Sequence, residues 1–400
     1  MKRVLIFSLA YYPKFVGGDS VAIREITDRT NPDELEFHMV TLRFDSTLPK
    51  VERVGNVLVH RIGFTRVNPN SADLKKFPLH YNKYLFQFTA AFKAASLHHR
   101  YKYDGIWAVM AHSAGVPAAI FKLFHSNVPY LLTLQEGDPP HYIERVMRPV
   151  WPLFKRAFTS ADMVQAISVF LSDWARRMGY KGPLEIIPNG VDIRRFTGPQ
   201  ERFEVRKALN IRENETILIT SSRLVRKNAV DDVIRAMALL PATVHFLVLG
   251  VGPDEAKLKQ LAHDLGVAPR VKFLGHISHD KLPAYLQAST IFIRPSRSEG
   301  FGNSFVEAMA ADLPVIATQE GGIADFLFDR KRNPDMPTTG WAVDKDSPEQ
   351  IAAAAEDILS NPEQVKKVIS TAHKLAVEKY DWEIVARAMR QRVFNLLLKH

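Results

Sequence analysis

The chain has 400 residues, of which 46% are hydrophobic and 24% are charged, and this composition excludes collagen-like, coiled-coil and disordered proteins. Its 53 Lys and Arg against 43 Asp and Glu give a net charge of +10, so an acidic partner such as a phosphate, a nucleic acid or an anionic lipid surface is worth testing. The sequence contains no cysteine, which excludes disulfides, thiolate metal sites and a cysteine nucleophile.

The N-terminal segment predicts a first β-strand rather than a targeting signal. Lys2 and Arg3 are followed by an apolar run over residues 4–10. This run is too short to span a membrane, and no small-residue cleavage site follows it. We therefore expect a cytoplasmic protein.

Short strand-like runs alternate with longer helical patterns along the whole chain, which is typical of βαβ units and of a parallel sheet covered on both faces. In the first half, strands are predicted at residues 4–9, 37–42, 57–62, 105–110, 130–134 and 163–167. The pattern then restarts, with strands predicted at residues 216–221, 244–249, 271–274, 291–294 and 314–318.

The repeated pattern predicts an α/β protein with two doubly wound domains, at residues 1–190 and 191–380, followed by a helical segment at 381–400. The junction is expected at residues 186–192, where a strand ends in Pro-Asn-Gly, residues that favour a turn. A cleft between two such domains is the expected ligand site, because strand carboxyl ends and helix N-termini converge there.

The positive charge is unevenly divided. Residues 1–190 hold 24 basic and 16 acidic side chains, whereas residues 191–400 hold 29 and 27. Two predicted helices of the first domain mix aromatic and basic side chains: Tyr84, Phe86, Phe88 and Phe92 beside Lys83, Lys93, Arg100 and Lys102, then Trp151, Phe154 and Phe158 beside Arg148, Lys155 and Arg156. Either these aromatic residues fill the core below a solvated basic face, or they form a face for a membrane surface or an anionic acceptor.

The densest candidate site is residues 294–310, where a predicted strand meets a glycine loop that opens a helix. Gly300 and Gly302 allow the backbone to approach a ligand closely, and the amides of the helix start suit a diphosphate. Glu299 and Glu307 can face one ligand from two sides, and a carboxylate accepts hydrogen bonds from paired sugar hydroxyls. The alternative, a solvated loop with two surface glutamates, leaves the spaced glycines unexplained.

A second candidate motif follows the first strand of the second domain. Residues 221–228 read Ser-Ser-Arg-Leu-Val-Arg-Lys-Asn. Arg223 and Lys227 would neutralise a pyrophosphate at the end of this strand. The alternative interpretation is a pair of surface cations.

The sequence resembles the family 4 retaining glycosyltransferases of the GT-B fold over most of its length. The motifs that carry the resemblance are Gly17-Gly18, Pro188-Asn189-Gly190-Val191-Asp192, Arg223 with Lys227, Phe273-Leu274-Gly275-His276, the Glu299 to Glu307 signature and residues 321–325, Gly-Gly-Ile-Ala-Asp. The resemblance implies two Rossmann-like domains facing across a cleft, with segment 381–400 returning as a helix to the first domain. It also implies retaining transfer of a hexosyl unit from a UDP- or GDP-linked sugar to a glycan, lipid-linked or small-molecule acceptor, without a metal or another cofactor.

The resemblance implies roles for individual residues. Arg223 and Lys227 are expected to hold the diphosphate, Glu299 to contact the donor sugar, and Glu307 to hold the ribose hydroxyls. The other residues expected at the donor are Gly300, Phe301, Gly302, Asn303 and Ser304 in the signature loop, Gly275, His276 and Ile277 beside the base, and Gly17 and Gly18 from the first domain.

Three positions depart from the family pattern. Gln135 stands where many members carry a histidine, and it can hydrogen-bond a sugar hydroxyl but cannot transfer a proton. It joins Arg223, Lys227 and Glu299 as a catalytic candidate. Asn228 and Asp312 each replace a common glycine, and both residue types tolerate a left-handed backbone.

The acceptor side and the competing functions are less specific. His112, Glu136 and Asp138 follow predicted strands of the first domain and are candidates to face the acceptor, although each is also common as a structural hydrogen-bonding residue. A catalytically weak nucleotide-sugar-binding protein and a nucleotide-sugar epimerase remain alternatives. A glycan phosphorylase is disfavoured because no lysine lies in a recognisable pyridoxal-phosphate context. Nucleic-acid binding is disfavoured because the charge forms no basic stripe with a reading motif, whereas the basic first domain suits peripheral contact with an anionic membrane.

Overall fold

The computed structural model describes residues 1–70, 72–198 and 202–399. The chain divides into two compact units. Unit 1 comprises Met1–Asn189 and Trp382–His400, and unit 2 comprises Gly190–Asp381. The boundaries inferred from the sequence, after residues 190 and 380, lie within one residue of these. His400, the last residue of the predicted C-terminal segment, lies outside the described residues.

Unit 1 contains an eight-stranded sheet in the order β3-β4-β2-β1-β5-β6-β7-β8. The strands are β1 Lys2–Phe7, β2 Leu35–Leu42, β3 Val51–Val54, β4 Val57–Ile62, β5 Gly105–Val109, β6 Tyr130–Leu134, β7 Met163–Ala166 and β8 Leu184–Ile186. All neighbours are parallel except β3, which pairs antiparallel with β4. The six strands predicted for this half are confirmed. The edge strand β3 was not predicted, because its sequence Val-Glu-Arg-Val has no buried face.

The helices of unit 1 show which aromatic residues belong to the core. They are α1 Gly18–Asp28, α2 Asn82–Tyr101, α3 Val116–Phe124, α4 Pro140–Val146, α5 Trp151–Thr159 and α6 Val169–Arg177. On α5, Phe154 and Phe158 are fully buried and their rings meet Trp174 of α6, so these two form core, while Trp151 is half-buried. On α2, Phe86 is buried, whereas Tyr84, Phe88 and Phe92 are exposed.

Unit 2 contains a six-stranded, all-parallel sheet in the order β11-β10-β9-β12-β13-β14. Its strands are β9 Thr216–Ser221, β10 Val244–Leu249, β11 Val271–Gly275, β12 Ile291–Arg294, β13 Val315–Ala317 and β14 Trp341–Ala342. Its helices are α7 Ile193–Thr197, α8 Arg202–Ala208, α9 Val230–Met237, α10 Glu255–Asp264, α11 Leu282–Gln287, α12 Asn303–Ala310, α13 Pro348–Ser360 and α14 Pro362–Lys379. The five predicted strands are confirmed, and the two-residue strand β14 was not predicted.

The C-terminal segment belongs to unit 1. It comprises α15 Trp382–Ala388, a π-helical stretch Met389–Phe394 and α16 Asn395–Leu397. The ring centroid of Phe394 lies 5.8 Å from that of Phe37 on β2 and 5.3 Å from that of Trp107 on β5. Because all three side chains are at most 1% exposed, the segment fills part of the unit 1 core.

No helix in the described ranges is both long enough and apolar enough to cross a bilayer.

Candidate active site

The residues predicted to hold the donor follow the strands of the unit 2 sheet. Arg223 comes after β9, Gly275 ends β11, and Glu299 comes after β12. Because β9, β11 and β12 all run in the same direction, their carboxyl ends share one edge of the sheet. The structure therefore brings these three motifs of unit 2 to one place, with the exposed His276 and the half-buried Ile277 in the loop after β11.

Arg223 lies in a backbone segment that packs closely against the loop containing Gly250 and Gly252. The N–H of Ser222 donates to the carbonyl of Leu249 at 2.9 Å, and that of Leu224 donates to Val251 at 3.1 Å. A Cβ on Gly250 would lie 1.9 Å from the carbonyl oxygen of Ser222, so only glycine permits this approach. The Arg223 side chain is exposed beyond the strand end, where it can meet a ligand.

The loop at residues 226–229 has its left-handed residue at a different position from the one expected. The left-handed residue is Ala229, with φ of 53°, and not Asn228. Asn228 is buried instead, and its Nδ2 donates to the carbonyl of Arg223 at 2.7 Å. The prediction for Asp312 is confirmed: it ends the signature helix with φ of 58°.

The Glu299 carboxylate is held by Arg294, a residue to which the sequence analysis gave no role. Arg294 ends β12 and is buried, and its Nη2 donates to Glu299 Oε2 at 2.7 Å. Its Nη1 donates to Ser304 Oγ at 2.7 Å and to the carbonyl of Ser221 at 3.2 Å. Burial lowers the pKa of Arg294, and the charge of Glu299 opposes that effect. One guanidinium thus joins the end of β9, the signature loop and the start of α12.

The start of α12 presents backbone to the site. Gly302 precedes the helix with φ of +93°, and a Cβ there would lie 2.5 Å from Phe305 Cδ2. The Phe301 side chain is 1% exposed and its ring packs 5.3 Å from that of Phe326, so only its backbone is available to a ligand. Gly300 donates its N–H to Glu299 Oε1 at 3.1 Å. Asn303 is the first residue of the helix, whose first-turn amides have no intrahelical carbonyl to bond.

Glu307 is held by a second pair of residues that the sequence analysis missed. Arg195 donates to His279 Nδ1, which places the imidazole proton on Nε2, and Nε2 donates to Glu307 Oε1 at 3.0 Å. Glu307 is mostly buried on α12, whereas His279 is exposed. Two features of the sequence could have pointed to this pair. Arg195 lies three residues after the end of the Pro-Asn-Gly-Val-Asp motif, and His279 lies three residues after His276.

Arg297 fixes the loop that carries Lys227. Its backbone N–H donates to the carbonyl of Lys227 at 2.7 Å, and its Nη1 donates to the carbonyl of Arg226 at 2.6 Å. The guanidinium also meets three carboxylates, those of Asp231, Asp232 and Asp346. Burial and the neighbouring Asp231 raise the pKa of Asp232 to about 6.

In unit 1, the predicted acceptor-side residues bond largely to one another. The buried Glu136 accepts from the N–H of Ala111 at Oε1 and from the N–H of Gln135 at Oε2, 3.0 Å. His112 Nδ1 lies 3.5 Å from Glu136 Oε1, and Gln135 Nε2 donates to Asn189 Oδ1 at 3.2 Å. Glu136 therefore ties together the loops after β5 and β6. The roles of Gln135, His112, Glu136 and the exposed Asp138 toward a ligand stay predictions.

The glycine pair begins α1 next to a carboxylate that was not singled out from the sequence. Gly17 is extended, and a Cβ there would lie 2.5 Å from Asp19 Oδ1, so Gly17 is explained by space and not by a left-handed backbone. Burial raises the pKa of Asp19, and the charges of His112 and Glu136 also act on it. Asp19 therefore lies within electrostatic range of His112 and Glu136, near Gly17 and Gly18.

Across the described ranges, no group of three or more His, Asp or Glu side chains is arranged to hold a metal ion.

Two family models match the chain. Residues 16–195 match Glycosyltransferase Family 4, and residues 201–375 match Glycosyl transferases group 1. A GDP-mannose-dependent alpha-(1-6)-phosphatidylinositol monomannoside mannosyltransferase of Mycobacterium tuberculosis is 30% identical over 246 residues, which cover 58% of this chain and 62% of that protein. The matched region thus spans less than two thirds of this relative. An uncharacterized glycosyltransferase of Methanocaldococcus jannaschii is 21% identical over 96% of both chains.

Solved structures share the fold over the whole chain. Sucrose-phosphate synthase from Thermosynechococcus elongatus superposes with a TM-score of 0.81 at 22% identity and covers 100% of both chains. The Anabaena protein HepE, solved in complex with UDP-glucose, superposes with a TM-score of 0.77 at 21% identity and covers 98% of this chain and 99% of its own. Since the two family models together span most of the sequence, and both units have the expected parallel sheets, the chain belongs to glycosyltransferase family 4 and has the GT-B fold.

Proposed function

We propose that the protein is a retaining hexosyltransferase that moves a hexosyl unit from a UDP- or GDP-linked sugar to a glycan, lipid-linked or small-molecule acceptor. The observation that carries the proposal is the site of unit 2, where two cations follow β9 and two glutamates flank the start of α12. Each glutamate is already oriented by a protein partner, Glu299 by Arg294 and Glu307 by His279. Such preorganisation suits the recognition of hydroxyl pairs on a sugar and a ribose.

The proposed chemistry depends on stabilising the leaving group. The bond from the anomeric carbon to the diphosphate oxygen breaks, the acceptor oxygen bonds to that carbon on the same face, and the acceptor proton passes to the departing diphosphate. Arg223, Lys227 and the first-turn amides of α12 would offset the negative charge that develops on the diphosphate. This scheme asks for no proton transfer by a side chain, so Gln135 is compatible with it.

The names of similar proteins support the donor class. The mycobacterial relative is described as GDP-mannose-dependent, and HepE was solved with UDP-glucose. Both donors combine a nucleoside diphosphate with a hexose. The proposed roles match these parts: Arg223 and Lys227 bind the diphosphate, Glu307 binds the ribose, and Glu299 binds the hexose.

The experiment that tests the proposal is a panel of nucleotide sugars, scored by thermal shift and by release of nucleoside diphosphate. Arg223→Ala should slow release by about tenfold or more through poorer charge stabilisation, and Glu307→Ala should mainly raise KM for the donor. Lys367→Ala, which removes an exposed cation on α14, is the control and should behave like the wild type. Wild-type kinetics in both site variants would reject the proposal.

We also propose that the reaction needs no metal, because Arg223 and Lys227 supply the positive charge at the diphosphate. Turnover should continue in EDTA. Complete loss of turnover in EDTA, restored by manganese or magnesium, would contradict this proposal.

A catalytically weak nucleotide-sugar-binding protein is the second candidate, and Gln135 at the usual histidine position favours it. Its signature would be a thermal shift with a nucleotide sugar but no release of nucleoside diphosphate at any acceptor concentration. An epimerase would instead convert the donor without an acceptor.

We further propose that the protein contacts anionic membrane peripherally through unit 1, which holds most of the net positive charge.

A further inference from the structure

Helix α2 of unit 1 carries an exposed apolar stripe. The stripe, called here the α2 outer face, consists of Phe77 and Tyr81 just before the helix and of Tyr84, Leu85, Phe88 and Phe92 on it. The six residues are between 43% and 74% exposed. Within the helix, Phe88 lies four residues after Tyr84, three after Leu85 and four before Phe92, which places these side chains on one side.

The opposite side of α2 is apolar as well. Phe86, Ala90, Ala94 and Leu97 are buried in unit 1, so the helix needs no outward apolar residues to hold its position. A helix that is apolar on both sides is normally covered on both, and a contiguous exposed apolar patch marks an interaction surface. The patch is continuous at its start, where the Phe77 and Tyr81 ring centroids are 6.3 Å apart.

The charge around the α2 outer face is predominantly positive, although Lys76 is paired with Asp73 at 3.0 Å. Residues 74–103 contain six basic side chains and no Asp or Glu; the six are Lys75, Lys76, Lys83, Lys93, Arg100 and Lys102. Lys83 Nζ lies 4.9 Å from the ring centroid of Tyr84, so charge and aromatic surface are directly adjacent. Aromatic and leucine side chains beside an excess of basic residues are typical of a helix that lies in the headgroup region of an anionic bilayer.

We propose that the α2 outer face docks the protein on an anionic lipid surface, with its aromatic side chains at the headgroup boundary and its lysines on lipid phosphates. A second copy of the chain fits the face poorly, because a symmetric contact would bring the excess of positive charge on one copy against the same excess on the other. The inference rests on the proposed function in one respect, since a lipid-linked acceptor is what a transferase docked in this way would reach. The docking itself can be measured without any acceptor.

The test is co-sedimentation of the full chain at low salt with vesicles of phosphatidylcholine, alone or mixed with phosphatidylglycerol. We expect binding only to the mixed vesicles. Phe88→Ser combined with Phe92→Ser should weaken it by about tenfold or more, because two aromatic side chains leave the bilayer boundary. Phe124→Ser, which removes a phenylalanine that is 78% exposed at the end of α3, is the control and should bind normally.

A charge variant tests the second component of the surface. Lys83→Glu should weaken binding to the mixed vesicles by at least roughly fivefold, since one basic residue near such a surface contributes on the order of 1 kcal/mol. Lys181→Glu, at an exposed position after α6, should have a smaller effect. Added salt should weaken the binding of the wild type.

Three outcomes would overturn the proposal: a wild type that ignores the mixed vesicles, binding that survives loss of Phe88 and Phe92, or a dimer in sedimentation velocity that only these substitutions dissociate. Release of nucleoside diphosphate in vesicle-free solution shows that the variants are folded. It also separates the two proposals. Vesicle binding without any release would reject the transferase, and release without vesicle binding would reject the docking surface.

Discussion

Two arginines three residues apart hold different parts of the candidate site. Arg294 meets Glu299, Ser304 and the end of β9, whereas Arg297 meets three carboxylates and the backbone of the Lys227 loop. Both functions use the planar fork of the guanidinium, which bonds in several directions at once. A lysine keeps the charge at either position but cannot reproduce these contacts.

We expect Arg294→Lys to lower kcat for release of nucleoside diphosphate, because the Glu299 carboxylate loses its orientation. Buried polar groups left without a partner should also lower the free energy of unfolding by about 1–3 kcal/mol. Steady-state kinetics and urea denaturation measure the two effects. Wild-type kcat and stability in Arg294→Lys would show that Arg294 does not position Glu299.

Arg297→Lys should act differently, raising KM for the donor more than it lowers kcat, because it loosens the loop of Lys227.

At the scale of the element, the C-terminal segment alternates between core and surface. Phe394 is fully buried against Phe37 and Trp107, while Leu396, two residues later, is 44% exposed. The segment is therefore held to unit 1 by particular side chains and not by its helical backbone alone.

Phe394→Ala should lower the free energy of unfolding by about 3–5 kcal/mol, because it leaves a cavity between two aromatic rings. Leu396→Ala, in the same segment, should change it by about 0.5 kcal/mol or less. Urea denaturation followed by circular dichroism compares the two. Equal effects would mean that Phe394 contributes no more to the core than an exposed neighbour.

Elements with a strong periodic or apolar signal were predictable from the sequence, and those that depend on partners distant in the chain were not. The buried runs of β1, β5 and β12 read directly as strands of a parallel sheet, whereas the exposed β3 and the two-residue β14 give no such signal. Apolar spacing on α2 and α5 looked alike, because spacing shows that a stripe exists but not what covers it.

The residues of the candidate site also differ in how far the sequence predicts them. The glycine loop and the two glutamates follow from short motifs, but the contact of His279 with Glu307 joins residues 28 positions apart. The contact of Gln135 with Asn189 joins residues 54 positions apart. Such pairs depend on how the strand-end loops pack, and local spacing does not report that.

At the scale of the whole molecule, the two units carry buried groups that respond to acid in opposite directions. In unit 1, burial and the positive charges of His38, Lys93 and Arg100 lower the pKa of His60 from 6.5 to about 4. The unfolded chain gains this proton first, so His60 makes unit 1 lose stability as the pH falls from 6.5 to 4. In unit 2, the pKa of Asp232 is raised from 3.8 to about 6, so the folded state holds a proton that the unfolded chain has already released. The contribution of Asp232 to the stability of unit 2 therefore falls as the pH rises from 3.8 to about 6.

His60→Gln should therefore reduce the loss of stability on acidification. The wild type should lose on the order of 3 kcal/mol through this residue between the two pKa values, and the variant should not. Urea denaturation across that pH range measures the difference. His99→Gln, which removes an exposed histidine at the end of α2, should keep the wild-type slope. An unchanged slope in His60→Gln would mean that His60 is not the residue responsible.

The division of unit 1 into Met1–Asn189 and Trp382–His400 has a consequence for the order in which the protein is made. Unit 2 is one continuous stretch and can fold as soon as it leaves the ribosome. The side chain that packs against Phe37 and Trp107 is Phe394, which is synthesised only after all of unit 2. Part of the aromatic core of unit 1 therefore stays exposed in the nascent chain until residue 394 has been synthesised. Unit 1 is begun first and completed last.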